Sequence, residues 1–354
     1  MARMRLADIG EFGLIARLKA ICGEPPAGVV VGIDDDAAAF RPRADELVVV
    51  TTDALVEGVH FRWDYFTPFQ LGWRSLAANI SDVAAMAAEP QYAVVSIAIP
   101  SSLEVEKVEE LYRGMVALGG MYGVHIVGGD TTSSPDRLFL SITVFGTAPA
   151  QAVVRRAGAR VGDALYVTGF LGQAHAGLLV LTRPTVFRND QFPTAVARHL
   201  QPMPRVQEAL FLRQKVRLTS MIDVSDGLAS EVHHLCRLGN VGAVMEQGLI
   251  PISPEARAVA AQLGKRAVDF ALGGGEDFEL LFTAEESSVR RIQPLFEEKF
   301  GLALSKVGEI VSPQQGVQLR LESGEMLPLA MVGWDHFGRG KEGFSEKSSH
   351  DEHG

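Results

Sequence analysis

Apolar residues recur at helical spacing over residues 10–21, with Phe12, Ile15 and Leu18 on one stripe, and predict a short amphipathic helix. Residues 47–52 (LVVVTT) form a β-rich run that ends on Asp53, and the pattern continues through ALVEGVHF to Phe61. The strongest helix signal covers residues 67–90: Thr67 suits the cap, Pro68 the first position and Pro90 the stop, with Leu76, Ile80, Val83 and Met86 as a core stripe. On a neighbouring face Asn79 and Asp82 stand three apart among alanines, which points to close packing around a site. Residues 92–99 predict a strand, and Ser101 with Glu104 forms a capping box before a helix reaching about Tyr122. Residues 124–127 then predict a strand emptying into the loop GGDTTSSPD, and 137–147 another strand.

Near residue 150 the character changes. APAQAVVRRAGARVGD reads as an extended crossover and separates a first domain, residues 1–150, from a second, residues 151–338. In the second, a strand (164–168) and a helix (172–182) precede a looser stretch, 183–205, carrying four prolines. A helix at 205–213 and the strand SMIDV follow, and SDGLASEVHHLCRLG turns from acidic loop into helix with Ser225 and Asp226 at its start. After a helix at 254–263, LGGGEDFELLFT combines a glycine cluster, an acidic pair and a strand; elements at 304–311 and 317–322 lead to GWDHF. Residues 339–354 are polar and predicted to be disordered.

Against this pattern the acids stand out. VVVGIDDDAAAF, residues 29–40, places three aspartates between apolar flanks, where carboxylates repel strongly and call for a cation. Five segments deliver acids after a strand or within a small-residue helix: Asp35/Asp36, Asp53, Asp82, Asp130 and Asp223/Asp226. Each alone reads as a turn or cap. Together, as oxygen ligands without His or Cys, they suit hard cations, Mg²⁺ above all; structural Ca²⁺ stays open, although no EF-hand spacing occurs. Gly128, Gly129 and Gly273 to Gly275 suit backbone contact with phosphate, and Arg155 or Arg156 could pair with one. There is no P-loop, and GRGKEG at 338–343 matches a dinucleotide fingerprint only in the polar tail, with no strand before it.

Composition narrows the partners. With 33 Lys+Arg against 43 Asp+Glu the net charge is −10, which argues against nucleic acid and anionic membrane. Asp8, Gly10 and Glu11 interrupt any signal-peptide core and no apolar run reaches membrane-spanning length, so a cytoplasmic protein is expected. Cys22 and Cys236 show no metal or disulfide spacing and read as small buried residues. His60 reads first as a satisfied, partly buried histidine and second as a substrate contact, while Trp334 suits domain closure and aromatic stacking equally.

GEFGLIARL, GIDDDAAAF, TTDALVEGVHF, NISDVAAMAAEP, GGDTTSS, VTGFLG, IDVSDGL, GGGEDFELLFT and GWDHF, in this order from Gly10 to Phe337, closely resemble thiamine-monophosphate kinase, of the aminoimidazole ribonucleotide synthetase and selenophosphate synthetase superfamily. The resemblance implies a two-domain α/β (α+β) fold, a homodimer whose N-terminal strands close a barrel, and phosphorylation of thiamine monophosphate by ATP with several Mg²⁺ ions. It implies metal coordination by Asp36, Thr51, Thr52, Asp53, Asp82, Asp130, Asp223 and Asp226, with Asp130 and Asp226 as the catalytic pair. It further implies ATP contacts from Tyr112, Gly129, Asp130, Arg156 and Ser225, and thiamine phosphate contacts from His60, Glu276 and Trp334. One departure stands in the first motif: the family usually reads GIGDDAA, and Asp34 replaces its second glycine, at a cost of about 1–2 kcal/mol if that position needs positive φ. The expected mechanism is direct in-line transfer resting on positioning and charge neutralisation. Its rivals are a superfamily ATPase that makes an acyl or amide phosphate, and a non-catalytic nucleotide-binding scaffold.

Overall fold

The first half of the chain is organised by one four-stranded sheet. The structure is a computed structural model that describes residues 6–24, 26, 28–31, 33, 38–40, 44–188 and 190–333; Asp34, Asp35, Asp36, Trp334 and the tail lie outside the described residues. In chain order the first half contains α1 (Leu6–Cys22), β1 (Val29–Val31), β2 (Ala39–Phe40), β3 (Glu46–Val56), α2 (Pro68–Ala85), β4 (Glu89–Pro100), α3 (Val105–Tyr122), β5 (His125–Ser134) and β6 (Phe139–Pro149). The sheet order is β3-β6-β4-β5, antiparallel except for the parallel pair β4 and β5. Helix α2 packs on one face of this sheet and α3 packs on α2.

Thr67 caps α2 reciprocally with Gln70, as its position before Pro68 predicts. The helix ends at Ala85 rather than near residue 90, because Ala87 turns left-handed (φ 53°) and Ala88 N–H donates back to Val83 O; Pro90 already belongs to β4. The capping box at Ser101 and Glu104 does not form: Glu104 is the N-cap and its side chain makes no capping bond to the helix, and Leu103 N–H closes a turn onto Pro100 O. GGDTTSS is strand rather than loop, continuing β5 after a bulge that skips Val127.

The second half contains β7 (Ala164–Thr168), α4 (Gln173–Thr182), α5 (Pro193–Leu200), α6 (Val206–Lys215), β8 (Ser220–Asp223), α7 (Leu228–Gly239), β9 (Gly242–Glu246), α8 (Pro254–Gln262), α9 (Ala267–Gly273), β10 (Leu280–Ala284), α10 (Glu286–Phe300), β11 (Leu304–Val311), β12 (Val317–Arg320) and β13 (Met326–Pro328). Their sheet runs β13-β12-β9-β11-β7-β10-β8. Helix α5 falls within the stretch read as loose; Pro193 starts it, since a first-turn N–H is not needed for the helix ladder.

Alternation along β10 sends Leu280 and Phe282 into the core shared with the first half and Leu281 into the core on the opposite face. One apolar core therefore runs across the change of sheet near residue 150, and a second is built from the second half alone. Polar bonds reinforce the junction: Trp73 Nε1 donates to Pro202 O (2.9 Å), Tyr122 Oη to Pro204 O (2.9 Å) and Arg213 to Ala87 O (2.6 Å). Cys236 is buried and Cys22 half-buried, and burial pushes their thiols up to about 11 and about 12, as inert residues require.

Candidate active site

Where the two halves meet, acids from both converge. On β3, odd positions face α2, so Thr51 and Asp53 point inward, and Thr51 Oγ1 donates to Asp82 Oδ2 on α2 (2.6 Å). From the second half, Asp223 at the end of β8 accepts from Ser81 Oγ (2.6 Å), the residue before Asp82. Asp226 follows at the entrance to α7, its N–H donating to the buried Glu231 carboxylate (3.0 Å). A cleft of about 400 Å³ opens beside them, lined by Thr51, Asp82, Met86, Arg155, Arg156 and Leu238. A larger groove of about 580 Å³, around Tyr92, Tyr122, Gln207 and Lys299, contains none of these acids.

The cluster is short of positive charge. Burial, then Asp82 and Asp226, push Asp53 up to about 6; burial, then Asp82, push Asp223 well above the usual carboxylate range despite Arg156. Asp82 is likewise raised by burial, and Glu231 is pushed up to about 7 by burial and by Asp226. Asp223 is 1% exposed, and its Oδ1 has no hydrogen-bond partner. An all-oxygen donor set with an orphaned buried carboxylate oxygen fits a hard cation. Among the described residues no three of His, Cys, Asp and Glu form a complete cation site. Mg²⁺ commonly retains waters and substrate phosphates as ligands, so a partial protein shell suits it.

The structure does not bring every expected residue to this cluster. Across the sheet, Asp53, Ile142, Val95 and Gly129 form one row and Ala54, Ser141, Ser96 and Asp130 the next. Neighbouring rows point to opposite faces. Ile142 and Val95 are buried on the α2 side, so Asp130, which is exposed, lies on the outer face. Thr52 shares that face and donates to Ile142 O (3.1 Å). Gly129 lies where a Cβ would meet Val95 O at 2.0 Å, so the glycine permits close strand contact. Tyr112 is buried in the first-half core, where burial and then Cys22 raise its hydroxyl.

A second constellation lies where GGGEDF runs beside IDVSDG. Glu276 N–H donates to Ser225 O (2.7 Å), and at Gly275 a Cβ would stand 2.0 Å from the same oxygen. Glu276 holds a left-handed backbone (φ 70°), uncommon for its type and a form of strain that persists at functional sites. Its carboxylate pairs with Arg74 of α2, a side chain only 5% exposed. Arg74 also donates to His60 O (3.3 Å) and lies over the Phe66 ring (5.3 Å). His60 and Glu276 are thus joined through Arg74. His60 Nδ1 accepts from Val56 N–H (2.9 Å), as a satisfied, partly buried histidine would. Gly333 packs near Asp226 and Ser230, bringing the chain that leads to Trp334 beside α7.

Arg74, Glu231 and His199 were not singled out by sequence. Arg74 offered one signal, the lone cation in a helix whose single acid is Asp82. Below Glu276, Asp277 accepts from Gly172 N–H (2.6 Å) and Ala174 N–H (2.9 Å). Glu279 accepts from Thr168 Oγ1 (2.6 Å) and Arg205 Nε (2.7 Å), and pairs with Arg198. Burial alone would raise Glu279; Arg205 and Arg198 hold it lowered, whereas burial pushes the neighbouring Asp277 up to about 7.

Residues 34–148 match the family model of the AIR synthase related protein, N-terminal domain. With its two sheets and their packed helices, the chain has the AIR synthase-like α/β fold. It is 33% identical over 330 residues to the thiamine-monophosphate kinase of Escherichia coli (strain K12), covering 93% of this chain and 98% of that one. It is 34% identical over 342 residues to that of Synechococcus elongatus, covering 95% and 99%. The chain belongs to the thiamine-monophosphate kinase family. Among solved structures it is similar to the thiamine-monophosphate kinase of Stenotrophomonas maltophilia K279a, with TM-score 0.78 and 34% identity over 91% of this chain and 98% of that one. It is also similar to AaThiL complexed with AMPPCP and TMP, with TM-score 0.74 and 30% identity over 95% and 100%.

Proposed function

We propose that this chain transfers the γ-phosphoryl group of ATP to thiamine monophosphate, making thiamine diphosphate, at the junction just described. The observation that carries the reading is the cluster of buried acids beside a cleft lined by Asp82, Arg155 and Arg156, in a chain similar over 95% of its length to a protein seen with AMPPCP and TMP. Asp53, Asp82, Asp223, Asp226 and Thr51 would hold Mg²⁺, with Asp36 added to that set; Thr52 and Asp130 face the other side of the sheet and would hold Mg²⁺ separately from it. When bound, Mg²⁺ supplies neutralisation of phosphate charge. Arg156 and Ser225, with Gly129 and Asp130, orient ATP. His60, Glu276 and Trp334 hold the acceptor. A phosphate monoester oxygen is already anionic at neutral pH, so the protein's task is alignment and no residue must remove a proton.

A homodimer is supported by β3, an edge strand with Leu47, Val48 and Val50 exposed on apolar side chains and no further strand paired along it among the described residues. The opposite edge, β5, is also open and lies three strand spacings away, about 14 Å. A second copy pairing along these edges would cover the outer face that carries Thr52 and Asp130. Among the described residues no helix is long and apolar enough to cross a membrane. The use of ATP supports a cytoplasmic location.

Incubation with ATP, Mg²⁺ and thiamine monophosphate should yield ADP and thiamine diphosphate in equal amounts, detected by chromatography. A phosphorylated protein trapped with ATP alone would overturn direct transfer.

The raised acids also predict a pH signature. Asp53 moves from 3.8 to about 6 on folding, so the folded state binds more protons between these values. Its contribution to stability is fully present below the lower value and is lost as pH rises through the upper one. Metal-free protein should therefore melt at a higher temperature near pH 5 than near pH 7.5, and Mg²⁺ should raise the melting temperature more at the higher value. A Mg²⁺ effect equal at both pH values would remove these carboxylates from the metal site.

A further inference from the structure

The acceptor end of the site contains a buried histidine whose polar atoms are unspent. His199, on α5, is 2% exposed, and neither ring nitrogen makes a hydrogen bond. Nδ1 stands 3.4 Å from Glu276 Oε2, close enough for an ion-pair contact but not aligned as a hydrogen bond. The imidazole lies beside Tyr65 and Phe66, with ring centroids at 6.2 and 5.7 Å. Leaving a buried polar group unpaired costs about 1–3 kcal/mol, so its persistence needs a reason.

Glu276 supplies the reason. Its Oε1 is held by Arg74 from the first half of the chain and its Oε2 faces His199 from the second. Arg74 and His199 are thus the charged or ionisable side chains seen to contact the two carboxylate oxygens, on a residue whose backbone is left-handed. We propose that His199 is a positioning residue for the organic substrate: Nδ1–H closes onto Glu276 Oε2 when the cationic ring binds and holds the carboxylate toward that ring. The inference rests on the assignment of Glu276 to thiamine monophosphate and deepens it. Burial, then Arg74 and His175, hold His199 well below the ordinary histidine range, so it orients the carboxylate without cancelling its charge. A neutral donor suits this task, because a second cation beside Arg74 would weaken attraction for a cationic substrate.

Two substitutions separate positioning from packing. In His199→Asn the amide NH₂ occupies the place of Nδ1, whereas in His199→Gln it reaches the place of Nε2; both remove ring volume. Steady-state kinetics should show His199→Gln raising KM for thiamine monophosphate about tenfold, with a much smaller change in kcat and in KM for ATP. His199→Asn should stay within about threefold of the wild-type KM, although both variants lose melting temperature. On a Glu276→Gln background, His199→Gln should add little, since the acceptor it serves has lost its charge.

Equal KM values for the Asn and Gln variants, or an undiminished effect on the Glu276→Gln background, would make His199 a packing residue only. If Glu276→Gln itself leaves KM for thiamine monophosphate unchanged, the assignment of Glu276 falls and this inference with it. A raised KM in Glu276→Gln combined with a wild-type KM in His199→Gln would overturn the inference alone.

Discussion

Asp223→Asn is expected to lower thiamine diphosphate formation about 100-fold or more while making the metal-free protein more stable, by about 1–3 kcal/mol. Both effects come from the same oxygen. Asp223 Oδ1 is buried without a partner, and burial and Asp82 raise the carboxyl well above its ordinary range. Removing the charge relieves the folded protein when no cation is present. The amide oxygen can keep the bond from Ser81 Oγ, so the contact between the two halves survives. It cannot replace an anionic oxygen opposite Mg²⁺. Turnover and thermal melts without metal check the two halves of the prediction. Activity within tenfold of wild type, or a lower metal-free melting temperature, would show that Asp223 serves structure rather than the reaction.

Gly129→Ala is expected to lower turnover about 100-fold and to destabilise the fold by about 3 kcal/mol. The obstacle is backbone: the new Cβ would lie 2.0 Å from Val95 O, 2.9 Å from its carbonyl carbon and 3.1 Å from its nitrogen. These atoms belong to the parallel partner strand, so β5 must lift from β4 to admit a methyl group. Asp130, the next residue, would move with it. Denaturant unfolding and steady-state kinetics report the two losses, and a stable, fully active Gly129→Ala would show that β5 tolerates the displacement and that Asp130 needs no fixed register.

Much of the fold was legible because local rules decided it. Thr67 and Pro68 open α2 where their chemistry places a helix start, and the apolar runs of β3, β4 and β6 form strands. The misses share a cause. Pro193 looked like a breaker and is a helix starter, and GGDTTSS looked like a loop and is a strand, because in both places the outcome depends on what packs alongside. Arg74 and His199 were invisible as a pair: 125 positions separate them, and they meet only in the folded chain, through Glu276 and the Phe66 ring.

The chain's residues by themselves determined which chemistry is available: oxygen ligands in five separate segments, no P-loop, and motifs that resemble thiamine-monophosphate kinase from Gly10 to Phe337. They did so because ligand type and charge are properties of side chains. Tertiary structure decided which acids act together. Period-two alternation sends Asp53 inward to Asp82 and Thr52 outward, strand pairing places Asp130 on the outer face, and the closing of one half on the other brings Asp223 to Ser81 and Glu276 to Arg74. Burial at that junction, together with acids from other segments, raises Asp53 and Asp223 and so creates a need for a cation between the two halves.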